Sequence, residues 1–448
     1  MSGDNRHIGS EWRIAGLLQW PYRFLGPLPG LKEMNIVCWG LFVGWLVTRF
    51  FFPLWLQFRH MPGSIHILPD DFIYFYGIGH IAYRYPLARL YDFSLQLKVF
   101  NDIFHSQDST YGPSPYPPFV ALFFSMFARV PFILAFFLWA VVSLTLYLVG
   151  IGVVLREVFP RERLKVSLSF CFALAFSPFL RNTLLNGQIA TVAVCSVGLA
   201  ISEERHSRPF VSGLALSILA YKPTLLLLLI PMLLLTRRFR TFCGFITGVS
   251  ILGLTATSFA GVQIWTAYAQ FLGAFGRIAG LNGQSSLLLW QYIDLRAFIL
   301  SACGAGGMPE RIVFITVLSM IAAWIAVLLW KSVAIGRTGQ YLAWAVTLTW
   351  TLLLNVYVPV YDSILLSLAA ILTLGALRDL KWSAAAGWVI ALLAFICVAS
   401  WETDAIVVNH GGQILSLLLA VFGVIQIYLL QRAICHDMAH AAPSCVTE

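Results

Sequence analysis

Apolar runs close to the roughly 20-residue length that crosses a bilayer recur along this chain from residue 34 to residue 431. The chain has 448 residues, of which 59% are hydrophobic and 11% charged. Soluble domains carry about 25% charged residues, so this chain cannot cover a water-exposed surface, and its solvent is largely lipid. The runs fall at 34–56, 131–155, 164–181, 188–201, 209–221, 223–235, 239–260, 312–331, 341–356, 362–378, 383–400 and 413–431. They imply an all-α polytopic membrane protein of about twelve transmembrane helices. Several runs span only 13–18 residues, and Pro or Gly interrupts others. Half-length and broken helices persist in a bilayer only where they line a protein-enclosed cavity. The expected organisation is an N-terminal segment over 1–33, a transmembrane domain over 34–431 and a flexible tail over 432–448. The first 33 residues carry Arg6, Arg13, Arg23 and Lys32 but no apolar core, so Met34–Phe58 reads as an uncleaved signal anchor.

The net charge of +9 does not point to nucleic acid, because the basic residues gather in short loops between the runs. Arg156, Arg161, Arg163 and Lys165 mark one loop, and Arg237, Arg238 and Arg240 a second. Lys331 with Arg337, and Arg378 with Lys381, mark two more. With twelve spans all four loops share the side of the N-terminus, which the positive-inside rule makes cytoplasmic. The region 117–155 is broken at Arg129–Pro131, and the charge pattern prefers one re-entrant helix followed by one span. Eight cysteines are scattered, mostly in apolar runs and without a C-x-x-C pair. They read as helix packing rather than metal or disulfide chemistry. His436 and His440 are four residues apart in the tail and make no convincing metal site.

The opposite side receives residues 59–116, with five acidic and four basic side chains. A structureless loop of that length is improbable, so it is expected to be partly helical, with a short interfacial helix over Asp71–Tyr85. Asp70 reads as the N-cap of that helix. Asp71 then lies on the first turn, where the dipole favours an ionised carboxylate. "NGQ" at 186–188 is strong turn chemistry, and Gln188 opening the next helix could hydrogen-bond a sugar. Lys222 interrupts the apolar stretch 209–235 and Pro223 splits it. The lysine either snorkels or pairs with an anion such as a phosphate. "YPPF" at 116–119 is a rigid start to an apolar helix. Asp362, in "YVPVYD", caps the following helix or faces a site at the mouth of two spans.

In order, "DDFIYFY", "ARLYD", "YPPF", "NGQ", "AYKPTLLLLLIPMLLLTRRFR" and "YVPVYD" resemble glycosyltransferase family 87 of the GT-C superfamily over about residues 34–380. The resemblance implies a GT-C-like bundle around an outward-facing cavity, and transfer of a sugar, mannose by family habit, from a polyprenyl-phosphate donor to a lipid or glycan acceptor. It places Asp71 at the catalytic base, and Tyr91, Gln188, Lys222 and Asp362 at binding positions. Asp70, Tyr116, Arg181 and Tyr357 join these as candidate substrate-binding residues. Where family members carry a histidine before the last aspartate, this chain has Tyr357 and Tyr361. A lipid phosphate is already a good leaving group, so one carboxylate base suffices and the displacement inverts the anomeric centre. Lys222 and Arg181 would stabilise the departing phosphate. No metal and no cofactor is expected beyond the lipid-linked donor, and the expected setting is a bacterial inner membrane with the site facing the periplasm. The competing reading is a transporter or flippase of lipid-linked sugars. That reading predicts internal repeats and mid-span charges, whereas no repeat is visible and Arg49 is nearly alone within the clear spans.

Overall fold

The computed structural model describes residues 35–36, 39–40, 42–44, 46–52, 71–104, 113–281, 291–303, 308–355, 358–410 and 413–441. Helix dominates throughout, and the sole β pairing among the described residues is an isolated bridge between Tyr292 and Pro359. Six described helices are long and apolar enough to cross a membrane: Phe132–Val158, Phe239–Ala260, Arg311–Lys331, Val360–Asp379, Ser383–Trp401 and Ile414–Cys435. Each coincides with an expected run.

The other expected spans are shorter or bent. Val166–Ala175 and Pro178–Leu185 meet at 56°. Ala190–Arg205 has 16 residues and Arg337–Leu353 has 17. The stretch 209–235 divides at Lys222 into two short apolar helices, Pro209–Tyr221 and Pro223–Leu235. Of the 34–56 run only pieces lie within the described residues.

Ala190–Arg205, Arg337–Leu353 and Val360–Asp379 fill the centre, and the more exposed long helices form the rim. Arg337–Leu353 is buried from Tyr341 to Leu353, and Val360–Asp379 is 83% buried over its apolar window, against 17% for Arg311–Lys331. A helix enclosed by protein need not match the bilayer, because its neighbours rather than lipid surround its ends. Small residues allow close contact. A Cβ added at Gly213 would lie 1.9 Å from the Thr241 carbonyl oxygen, and one at Gly244 would lie 2.1 Å from that of Phe210. Buried polar side chains find partners across helices. Tyr147 donates to the Ala173 carbonyl at 2.8 Å while its ring stacks on Phe179 at 3.8 Å, and Trp350 donates to the Gly423 carbonyl at 3.1 Å.

Hydrogen bonds and ion pairs gather the four basic loops at one end. Arg378 bonds the Val158 carbonyl and reaches Glu162 at 3.4 Å. Arg337 donates to the Glu157 carbonyl at 2.8 Å, and His206 lies 3.7 Å from the Glu157 carboxylate. Arg238 pairs with Glu204 at 2.5 Å, and the Trp344 indole donates to the same carboxylate at 2.9 Å. Glu204 ends one helix and Arg238 follows residue 235, so the stretch between them travels out and returns. Lys222 is therefore at the far end. Residues 71, 116, 186, 222, 292–294 and 358–362 gather there.

Two expectations change. Phe72–Arg84 is helical, but it is no interfacial surface helix: Phe72, Ile73, Phe75 and Ile81 are buried. Its alternating aromatics pack against Pro118–Phe124 and the start of Phe132–Val158 rather than lying on headgroups. The helix Ile414–Ala441 continues past Arg432, where a flexible tail was expected, because Ala433, Ala439 and their neighbours favour helix. Residues 442–448 are outside the described residues.

Candidate active site

Asp71 is placed by the Asn-Gly turn. The Phe72 amide, one residue beyond it, donates to the Asn186 carbonyl at 2.9 Å. Gly187 lies at φ +75°, and a Cβ there would sit 2.6 Å from the Phe72 Cβ, so only glycine lets the two segments meet. The Gly187 carbonyl accepts from the Trp139 indole at 3.0 Å, and the Gln188 amide donates to the Thr183 carbonyl at 2.9 Å. Phe72 and the "NGQ" turn, over a hundred residues apart, thus form one scaffold. Asp71 itself occupies the N-cap position expected for Asp70, because the helix begins at Phe72, and its carboxylate makes no capping hydrogen bond. Asp70 is outside the described residues.

Lys222 stands in the break between two 3-10 turns, Ile218–Tyr221 and Pro223–Leu226. Pro223 cannot continue a hydrogen-bonded turn across that point. Lys222 Nζ forms an ion pair with Asp362 Oδ2 and lies 4.6 Å from the centre of the Tyr361 ring. The lysine side chain is 12% exposed and that of Asp362 is 1% exposed. Asp362 is not the N-cap of its helix, since Pro359 holds that position. Its second oxygen, Oδ1, is buried without a hydrogen-bond partner among the described residues, as are the Tyr221 hydroxyl and Gln188 Oε1.

The two halves meet. Pro178–Leu185, which carries the exposed Arg181, packs against Val360–Leu365. The Tyr361 hydroxyl feels the charges of Asp71 and Asp362 and the neighbouring hydroxyls of Tyr116 and Tyr292. The Tyr221 hydroxyl feels Asp362 and Tyr116. Asp71, Tyr116, Lys222, Tyr361 and Asp362 therefore belong to one polar cluster at the end of the bundle opposite the basic loops.

Its outer wall is braced. The Tyr116 ring lies 4.8 Å from that of Phe75, and its carbonyl accepts from the Tyr91 hydroxyl at 2.9 Å. Tyr268 donates to the Pro115 carbonyl at 3.3 Å and lies 5.1 Å from the Tyr91 ring. Burial, then the neighbouring Tyr268 hydroxyl, raises the Tyr91 hydroxyl well above the usual tyrosine range. The binding position expected of Tyr91 is thus a buried brace for the "YPPF" start. Asp92 beside it accepts from Ser94 and Arg89, at 2.6 and 2.8 Å, and from the Leu95 amide at 3.2 Å. These bonds hold its carboxyl down at about 2.

Asp294 escapes sequence reasoning. It is 1% exposed and accepts from the Ala297 amide at 2.8 Å and the Val358 amide at 3.2 Å. The Ile293 amide donates to the Val358 carbonyl at 2.9 Å, so this outer segment clamps the turn that presents Tyr361 and Asp362. Burial raises the Asp294 carboxyl, and the two amides oppose that rise. Asp before "LRAF" is an N-cap pattern, yet nothing local points to Val358. On the other flank Asn355 donates to the Thr224 carbonyl at 2.6 Å. Tyr357, expected nearby, is outside the described residues. Among the described residues no three His, Cys, Asp or Glu side chains converge as metal ligands.

A carboxylate, a lysine held by a second carboxylate and several hydroxyls, enclosed at one end of a lipid-embedded bundle, can take a proton from one polar group while holding an anion. Residues 115–359, just over half of the chain, match the family model described as glycosyltransferase family 87. No curated protein and no solved structure matches the chain.

Proposed function

The chain belongs to glycosyltransferase family 87 and is a membrane glycosyltransferase, and from that premise we propose how it works. It transfers a sugar, mannose in our reading, from a polyprenyl-phosphate donor to a lipid or glycan acceptor. Asp71 removes the proton from the acceptor hydroxyl as that oxygen attacks the anomeric carbon and the lipid phosphate leaves with the bonding pair. One displacement inverts the configuration, and the lipid phosphate needs no separate acid.

The observation that carries this reading is the Lys222–Asp362 pair beside Tyr361, whose hydroxyl also feels the Asp71 charge, at the end opposite the basic loops. The family match begins at residue 115, so Asp71 rests on this geometry and on its own motif. The Asn186–Phe72 bond and the Gly187 contact hold the Asp71 backbone at a defined depth. Lys222 gives one N–H to Asp362, and its remaining ammonium protons are suited to the departing phosphate. Arg181 on the adjoining segment supplies a second, more exposed cation. Gln188 and Tyr116 line the sugar side in this reading, with Tyr91 holding Tyr116 in place.

The short central helices enclose a cavity that opens away from the basic loops, as part of a bundle of about twelve crossings. With those loops cytoplasmic by the positive-inside rule, the site faces the periplasm of an inner membrane. The enzyme acts without a cofactor, its partners being membrane lipids, the lipid-linked donor and the acceptor. Membranes containing the protein, incubated with radiolabelled polyprenyl-phosphate mannose, should yield a labelled lipid or glycan that control membranes do not. Label transferred only from a sugar nucleotide would contradict the donor class.

A further inference from the structure

At the basic end a cleft of about 430 Å³ lies between the end of Ala190–Arg205 and the start of the 22-residue helix Phe239–Ala260. Arg237, Arg238, Arg240, Thr241 and Glu204 line it. The one carboxylate among these is already engaged, accepting from Arg238 at 2.5 Å and from the Trp344 indole at 2.9 Å. Positive charge therefore remains in excess after internal pairing. Arg237 is held over the Trp330 ring at 5.1 Å and Arg238 over the Trp344 ring at 5.5 Å, which limits the freedom of both guanidinium groups.

The helix start adds amide N–H groups without intrahelical acceptors and the positive end of the dipole. A separate observation points to a ligand. Thr241 is 0% exposed, and its hydroxyl has no hydrogen-bond partner among the described residues. A buried donor left unpaired is costly, and an oxyanion in the cleft would satisfy it. Two large apolar side chains, Phe239 and Trp330, are 57% and 53% exposed at this same end. Acyl chains rather than water suit such a flank.

We propose that this cleft binds a phosphate group, carried by the headgroup of an anionic phospholipid. Arginine forks match phosphate oxygens in pairs, the Thr241 hydroxyl completes the donor set, and the flanking aromatics receive the lipid.

The test is thermal unfolding of the purified full-length protein in neutral detergent, titrated with phosphatidylglycerol, with phosphatidylcholine, or with inorganic phosphate. A ligand that binds only the folded protein raises the midpoint. Phosphatidylglycerol should raise it and phosphatidylcholine should not. The double variant Arg237→Gln, Arg240→Gln leaves the Arg238–Glu204 pair intact and should need at least about tenfold more phosphatidylglycerol for the same shift. Thr241→Val keeps the shape and should weaken the response roughly tenfold. Scans without ligand report whether each variant folds. An equal shift from inorganic phosphate keeps the site and assigns it to a soluble anion. No shift with either anion overturns the proposal. So does a shift that the variants leave unchanged, and so does one sensitive to the arginines but not to Thr241, which marks diffuse surface attraction.

Discussion

Lys222 and Asp362 stand 140 residues apart in the chain, yet each is the other's charge partner inside the protein. A lone lysine in an apolar stretch is legible as an anomaly, and Asp362 is legible as a late motif. Their pairing is not, because it depends on how two helix breaks are brought together. The consequence is testable. Removing one partner of a buried pair strands the other charge at a cost of about 3–5 kcal/mol, whereas removing both costs less. Lys222→Met and Asp362→Asn should each lower the thermal midpoint of purified protein, and the double variant should fall well short of the sum of the two losses. Strict additivity would contradict the pair. Lys222→Met also leaves Asp362 facing any phosphate, so donor KM should rise along with the loss of stability, and Lys222→Arg should recover part of both. Gly187 is a second residue whose role needed three dimensions. "NGQ" announces a turn, but the Phe72 side chain is what forbids a Cβ there. Gly187→Ala should cost about 1–3 kcal/mol of stability and displace Asp71, with transfer activity falling further than stability alone explains.

Element lengths were legible where lipid sets them. All six long helices match apolar runs to within a few residues, and for the five that are less than half buried the reason is that a span exposed to hydrocarbon must be both long and apolar. The centre was harder to read. Pro and Gly mark where the central helices break, but not that the breaks become 3-10 turns or a π-helical segment at Pro178–Leu185, because tertiary packing decides those. The Phe72–Arg84 helix reads as interfacial and is largely buried, because Pro118–Phe124 and Phe132–Val158 cover it. The start of Phe93–Phe104 offers an element-scale test. Its Asp92 carboxyl is depressed to about 2 by Ser94, Arg89 and the Leu95 amide. A depressed carboxyl adds stability above its unfolded value near 3.9 and loses it as pH falls through the folded value. Asp92→Ala should destabilise the protein by about 1 kcal/mol at pH 7, and the gap between wild type and variant should narrow from pH 4 towards pH 2. A gap that stays constant with pH would mean that the charge is not what stabilises this helix start.

The whole molecule has two chemically distinct ends, and this polarity was the most legible large-scale feature. Four basic loops predicted to share a side do share one, tied by Arg337, Arg378 and Arg238 to Glu157, Val158 and Glu204. The other end could be assembled from the sequence only as an ordered set of motifs, and Asp294 joined it through a contact with Val358 that no local pattern announces. Lys98 is exposed near that end. In a cysteine-depleted background Lys98→Cys should react with an impermeant maleimide in intact spheroplasts; labelling only after lysis would invert the proposed orientation. The central claim is that the end carrying Asp71 performs glycosyl transfer with that carboxylate as base. Its most direct test is the rate of label transfer from polyprenyl-phosphate mannose by purified wild type and Asp71→Asn, with unfolding midpoints measured on the same preparations. A general base contributes typically about 10²–10⁴-fold. The account predicts unchanged midpoints and a loss of transfer in that range; a variant that folds normally and retains more than about a tenth of the wild-type rate would contradict it.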